Sequence, residues 1–141
     1  MSELFRKLEN IVKEKYISNS LYVRHAYSRN VDPVLQGVPD FVIRPKDAKE
    51  ISEILKVANE ENISVTPRGG GDCEFGGSKP IGDGGIVLDL KRMNNVINLD
   101  QENLIVTVEA GISWAKLNEH LCHFDLWMPG GCNIGERKID M

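Results

Sequence analysis

Leu4, Phe5, Leu8, Ile11 and Val12 recur at helical spacing near the start of the chain, with Glu and Lys between them. This pattern predicts an amphipathic helix over residues 3–15, with Ser2 as its N-cap. Residues 18–40 lose the rhythm. Asn19, Asn30, Asp32, Pro33, Gly37, Pro39 and Asp40 predict a long surface loop, with one short strand at Leu21-Tyr22-Val23. The apolar run Phe41-Val42-Ile43-Arg44 stops at Pro45 and reads as a strand. Asp47 and Glu50 then form a capping-box pair ahead of a helix whose apolar stripe is Ala48, Ile51, Ile54, Leu55 and Ala58. Ile63-Ser64-Val65-Thr66 follows as a second strand. A strand–helix–strand unit of this length places its strands parallel, with a right-handed crossover.

Further on, Gly85-Ile86-Val87-Leu88-Asp89-Leu90 is a third strand. Ile97-Asn98-Leu99 and Leu104 to Val108 flank the polar run Asp100-Gln101-Glu102-Asn103 and predict a hairpin. Gly111 closes the second arm of that hairpin. Ser113 caps a helix over residues 114–121 that carries Trp114, Leu117 and Leu121 on one face. No period is visible from Pro129 to Met141, and the chain contains no internal repeat.

Composition narrows the function classes. The 141 residues suit one domain, and 41% hydrophobic with 27% charged residues describes a globular chain. A net charge of −4 argues against nucleic acid, which needs clustered Lys and Arg. No apolar run approaches the roughly 20 residues of a membrane span. The N-terminus does not read as a secretion signal, so the expected compartment is the cytoplasm. The cysteines are Cys73, Cys122 and Cys132; their number is odd and their spacing irregular, which argues against a disulfide framework.

The candidate chemistry sits between the second and third strands, in Pro67-Arg68-Gly69-Gly70-Gly71-Asp72-Cys73-Glu74-Phe75-Gly76-Gly77. Glycine lets a backbone come close to phosphates and adopt positive φ, so that successive N–H groups point at one anion. The segment follows a strand, where ligands of α/β sheets collect. It lacks the Gly-Lys-Ser/Thr ending of a P-loop. Pro80, Gly82, Gly84 and Gly85 argue against the helix that a dinucleotide fingerprint requires. Glycine clusters also occur as plain surface turns, and Asp72 and Glu74 would repel a pyrophosphate.

The order of features around this segment resembles the FAD-linked oxidase family of the vanillyl-alcohol oxidase (PCMH-type FAD-binding) type, in its glycolate oxidase subunit and D-lactate dehydrogenase branch. The matching pieces are Tyr27-Ser28-Arg29, Pro39 to Pro45, the helix from Asp47 to Asn59, and Ile63 to Gly71. They continue with Gly85 to Leu90, Arg92-Met93-Asn94 and Val106-Thr107-Val108-Glu109-Ala110-Gly111. The resemblance implies an α+β fold: the N-terminal βαβ subdomain of a PCMH-type FAD-binding fold, plus the start of its second, mixed α/β subdomain. On that reading residues 1–141 are one truncated FAD-binding domain. Residues 1–40 are an N-terminal helix and loop, 41–90 the βαβ and pyrophosphate-loop subdomain, and 91–141 the start of the second subdomain; the cap domain of relatives is absent.

By similarity, Pro67, Arg68, Gly69, Gly70, Gly71, Asp72, Cys73, Gly76, Gly77 and Gly111 contact FAD. Relatives carry Thr or Ser where Asp72 stands. Some attach flavin through a His in this loop; none lies between Pro67 and Gly77, so FAD is expected to be non-covalent. The implied activity is hydride transfer from a 2-hydroxy acid or similar alcohol to FAD, as in glycolate or D-lactate oxidation. The alternative is a truncated, non-catalytic remnant, or a subunit completed by a second polypeptide or by self-association, that binds FAD weakly or not at all.

No residue is assigned to catalysis. His25 is a candidate base with no orienting partner in the sequence. His120, Cys122, His123 and Cys132 are metal-ligand types without paired spacing, and they read better as a helix end; no metal is expected. Cys73 is either a small filler or a reactive thiol, and Trp114 and Trp127 read as core or interface residues.

Overall fold

The computed structural model describes residues 3–30, 37–73 and 75–129. The expected Ser2 cap, Glu74, Cys132 and the glycines after Pro129 lie outside them. Helix α1 spans Glu3–Val12 and is followed by a 3-10 turn at Glu14–Tyr16 and strand β1, Ile17–Ser18. Helix α2 is Leu21–Tyr27. Strand β2, Phe41–Ile43, leads to helix α3, Ala48–Glu60, and strand β3, Val65–Arg68. Strand β4 is Ile86–Asp89, β5 Val96–Asp100, β6 Ile105–Val108, and helix α4 Trp114–Cys122. The fold is mixed α and β, as expected.

The main sheet has the order β1-β2-β4-β3. β2, β4 and β3 are parallel, and β1 joins β2 antiparallel. The β2–α3–β3 crossover therefore leaves a strand-wide gap that β4 later fills. Strand side chains alternate between faces. Ile17, Phe41, Ile43, Ile86 and Leu88 face α1 and α3, where they bury with Phe5, Leu8, Val12, Ile54 and Ala58. Val42, Val87, Thr66, Arg68 and Asp89 face the other way, toward α2.

The capping box at α3 is shifted by one residue. Asp47 Oδ1 accepts from the Glu50 amide at 2.8 Å, and Glu50 Oε2 accepts from the amide of Lys46, also at 2.8 Å. The hairpin β5–β6 turns on Asp100, whose carboxylate accepts from the Asn103 amide at 3.0 Å and from its Nδ2 at 2.8 Å. Asn103 thereby holds the Asp100 carboxyl below the usual carboxylate range. Ser113 Oγ caps α4 by accepting from the Lys116 amide at 3.2 Å.

Two expectations are corrected. Leu21-Tyr22-Val23 is not a strand but the first turn of α2. Val23 and Tyr27, four residues apart, lie on the face of α2 that lines a pocket with Val42, while Leu21 and Tyr22 are exposed. The apolar triplet therefore reflects one helical stripe and two solvent positions. Arg24 fixes the helix by donating from Nε to the Pro39 carbonyl. Trp114 and Trp127, expected as core or interface residues, are 38% and 59% exposed, so only the core half of that expectation is corrected.

Truncating Leu8, fully buried between α1 and the sheet, is expected to cost about 2–5 kcal/mol in urea unfolding as Leu8→Ala. Leu21→Ala on the solvent side of α2 is expected to stay within about 0.5 kcal/mol. Equal losses would contradict the helical assignment of that segment.

Candidate functional site

The segment from Gly69 onward leaves β3 at the carboxyl end of the three parallel strands. Its described residues form no helix, and its backbone polarity is sorted. The carbonyls of Cys73, Gly76 and Ser78 are engaged: Asn30 Nδ2 donates to Cys73 at 2.9 Å, the Lys79 amide to Gly76 at 3.2 Å, and Arg68 to Ser78 at 3.2 Å. The amides of Gly69, Gly70, Gly71, Asp72 and Cys73 donate to no acceptor among the described residues. Gly71 adopts φ +90° and Gly76 φ +77°. Consecutive amides left over in this way, with a left-handed residue among them, are the backbone donors that an anion can use.

Arg68 sets this posture. From β3 its guanidinium turns to the α2 side of the sheet. There Nη1 donates to the carbonyls of Arg29 at 2.9 Å, Ser78 at 3.2 Å and Tyr27 at 3.4 Å. Its carbon lies 5.2 Å from the Tyr27 ring centre. The guanidinium also fills the space a side chain on Gly71 would need. Glycine at position 71 thus satisfies both the positive φ and the close approach of Arg68. Arg68 is engaged by one loop carbonyl, Ser78, and by the carbonyls of Tyr27 and Arg29, and the loop amides remain for a ligand.

Tyr27 donates its hydroxyl to Asp89 Oδ2. Asp89, at the end of β4 and beside Arg68 in register, also accepts from the Lys91 amide at 3.0 Å and is 2% exposed. Burial and the Asp89 carboxylate push the Tyr27 phenol up to about 12. Tyr27 and Asp89 entered the sequence reading only as parts of matching stretches. Their pairing joins residues 62 positions apart, and no local pattern announces it. Asn30 was read simply as a turn residue.

Gly111, expected to close the second hairpin arm, instead lies three residues past the end of β6 and reaches the same region. Its amide donates to the Met93 carbonyl at 2.8 Å, and a side chain there would run into the Leu90 carbonyl. A Cβ on Gly69 would lie 3.8 Å from the Ala110 carbonyl, so the glycine loop and the end of the hairpin are neighbours. On the outer edge of β3, Pro67, Gly76 and Gly77 line a cleft of about 250 Å3 with Val65, Phe75 and Lys79. Cys73 is half-buried and Asp72 exposed. The Asp72 carboxylate folds back over Gly70, within 2.6 Å of where a Cβ would stand. The remaining candidates lie elsewhere: His25 is exposed on α2, and His120, Cys122 and His123 end α4. Cys73 and Cys122 are free thiols. Among the described residues no three His, Cys, Asp or Glu side chains converge as a metal site would require.

A family model described as "FAD binding domain" matches residues 39–135. The chain belongs to that family. FAD is accordingly its cofactor, and the row of free amides fits a pyrophosphate without any basic side chain. The glycolate oxidase subunit GlcD of Bacillus subtilis is 42% identical over 89 residues, covering 63% of this chain and 19% of that protein. The mitochondrial D-2-hydroxyglutarate dehydrogenase of Danio rerio is 38% identical over 116 residues, 77% of this chain and 22% of its own. The mitochondrial D-lactate dehydrogenase [cytochrome] of Arabidopsis thaliana is 32% identical over 139 residues, 94% and 24%. The chain thus spans about a quarter or less of the length of these relatives.

The fold agrees. 4-Ethylphenol oxidase from Gulosibacter chungangensis superposes with a TM-score of 0.77 at 24% identity, over 89% of this chain and 25% of that one. p-Cresol methylhydroxylase superposes at 0.75 and 19% identity, over 88% and 25%.

Two variants test the brace. Arg68→Lys keeps a charge but loses the planar guanidinium whose Nη1 reaches three carbonyls, and is expected to lower stability by about 1–3 kcal/mol in denaturant unfolding. Tyr27→Phe is expected to show a pH signature. The raised phenol pKa means that the neutral form is favoured in the fold. Its contribution is full below the ordinary phenol value of 10 and is lost as pH rises from there toward about 12. Melting temperature should fall less steeply above pH 10 in Tyr27→Phe than in the parent; identical slopes would refute the pairing.

Proposed function

We propose that this chain is the cofactor-holding portion of an oxidoreductase acting on a 2-hydroxy acid or similar alcohol. The observation that carries the reading is the run of five unengaged amides, Gly69 to Cys73, at the carboxyl end of the parallel strands. The substrate class is supported by the names of the relatives, which act on glycolate, D-lactate and D-2-hydroxyglutarate. In this reading those amides hold the pyrophosphate of FAD, with Gly76, Gly77, Pro67 and Gly111 around it. Arg68 acts as a positioning residue through the loop. Bound FAD supplies the two-electron acceptor, and the chain supplies placement and field. Binding is non-covalent, since no His occurs from Pro67 to Gly77. The free thiols at Cys73 and Cys122 suit a reducing compartment, the cytosol in our reading.

A second reading rests on Asp72 and on exposed apolar residues. A carboxylate folded over Gly70 opposes an anionic ligand. Leu104, Ile105 and Trp127 are 74%, 57% and 59% exposed around the hairpin and α4, surface that a second polypeptide or a second copy would cover. In that case the chain holds FAD weakly until completed.

Titration with FAD separates the readings. The first expects a yellow protein absorbing near 450 nm and a melting temperature that rises with FAD, because a ligand of the native state stabilises it. A colourless protein whose melting is indifferent to FAD, and whose size in light scattering stays monomeric, would reject both. Asp72→Ser is expected to tighten FAD several-fold, since a carboxylate a few ångströms from a phosphate costs about 1 kcal/mol even in water. Unchanged affinity would remove Asp72 from the site.

A further inference from the structure

A second concavity lies near the β1 edge of the main sheet, away from the glycine loop on β3. It has a volume of about 210 Å3, and its lining includes Lys15, Tyr16, Ser18, Tyr27, Val42 and Arg44. β1 and β3 are the two edges of the four-stranded order, separated by three strand spacings of about 4.8 Å each. The volume equals the liquid share of about seven waters, enough for a tetrahedral oxyanion and part of its hydration.

Positive charge gathers at this pocket. Around the Tyr16 ring centre, Arg92 Cζ lies at 3.4 Å, Lys15 Nζ at 4.8 Å and Arg44 Cζ at 5.9 Å. Lys15 holds the Tyr16 phenol below its ordinary value, with Arg92 and Arg44 acting in the same direction. Arg92 is compensated: it donates to the Arg44 carbonyl at 2.6 Å and lies 3.8 Å from Glu50. Arg44 spends one donor on the Lys15 carbonyl at 3.1 Å. Among the described residues, neither Arg44 nor Lys15 has a carboxylate within ion-pair distance. Asp89, the acid bonded to Tyr27 on the pocket wall, is committed to Tyr27 and the Lys91 amide. Two cations with spare donors thus flank a half-enclosed pocket that also offers the Ser18 hydroxyl, in a chain of net charge −4.

We infer that this pocket is an anion site separate from the FAD loop, taking inorganic phosphate or the phosphate group of a small phosphomonoester. The guanidinium fork of Arg44 and the ammonium of Lys15 supply donors from two directions, which suits the several acceptor oxygens of a phosphate. The proposal does not depend on FAD occupying the glycine loop. Tyr27, which forms part of both neighbourhoods, makes the independence of the two sites a measurable question.

The test is calorimetric titration of the whole chain with sodium phosphate at constant ionic strength, repeated with glycerol 3-phosphate and with acetate. Saturable phosphate binding is expected, weakened at least five-fold by Lys15→Gln and by Arg44→Gln, and unchanged by Lys56→Gln on the far side of α3. Phosphate tighter than the ester would indicate the free ion as ligand, and the reverse order a phosphomonoester; either supports the site. Lys15 is exposed, so Lys15→Gln is expected to keep the parent's circular dichroism and decides the matter if Arg44→Gln fails to fold. Phosphate binding without saturation, wild-type affinity in Lys15→Gln, or acetate binding as tightly as phosphate would overturn the proposal. So would displacement of phosphate by FAD, since the pocket would then belong to the cofactor site. A protein that binds phosphate here but no FAD would contradict the cofactor reading and leave this one standing.

Discussion

The Arg68 guanidinium ties three stretches of chain together: the last residues of α2 through the carbonyls of Tyr27 and Arg29, the far side of the glycine loop through Ser78, and β3 through its own backbone. A glycine-rich segment has more conformational freedom to lose on folding than any other sequence of its length. Something must select one conformer from that ensemble. A charged, planar donor held against three carbonyls does so through bonds stronger than neutral ones. The selection also has a direction. Because Arg68 and Asn30 take carbonyl oxygens, the loop amides are left over as donors. The positive φ of Gly71 follows from the same arrangement, since Arg68 occupies the volume where a side chain would stand.

Much of this fold was legible in the sequence, for local reasons. The α3 cap is written in Asp47 and Glu50. The parallel strands are written in short apolar runs on either side of an amphipathic helix, and the hairpin in the polar run around Asp100. Three features were not legible. Helix α2 was hidden because only Val23 and Tyr27 of its stripe face the sheet, and three apolar letters in a row imitate a strand. The span of β3 was read two residues early, since Pro67 and Arg68 look like loop residues but pair with Leu88 and Asp89. Pro67 tolerates this because β3 is an edge strand. The Tyr27–Asp89–Arg68 cluster was hidden because its members come from three elements. The glycine loop was recognisable from its residues, but the side chains that shape it, Arg68 at the end of β3 and Asn30 after α2, gave no sign of that role.

Charge is distributed against the sign of the whole. The chain is acidic, yet the two regions argued to receive anions have locally favourable fields, made in different ways. At the glycine loop the field comes from oriented peptide dipoles, which do not titrate in the physiological range. At the β1 edge it comes from Lys15 and Arg44, which are flexible, exposed and screened by salt. The first suits a cofactor whose position must be fixed to fractions of an ångström. The second suits a ligand held more loosely and sensed through ionic strength.

The position of Gly111 bears on how the two parts of the chain divide the work. Its backbone packs so closely on the turn after β4 that no side chain fits, and this brings the end of the hairpin beside Gly69. The loop is therefore bounded on one side by the Tyr27–Asp89 brace and on the other by the residues after the hairpin. Both boundaries are backbone or buried polar contacts, while Ile97, Leu104 and Ile105 of the hairpin and Trp114 of α4 are exposed. In the proposed reading, such an arrangement holds the cofactor by its phosphates and leaves Trp114 and Trp127, beyond Gly111, on the surface.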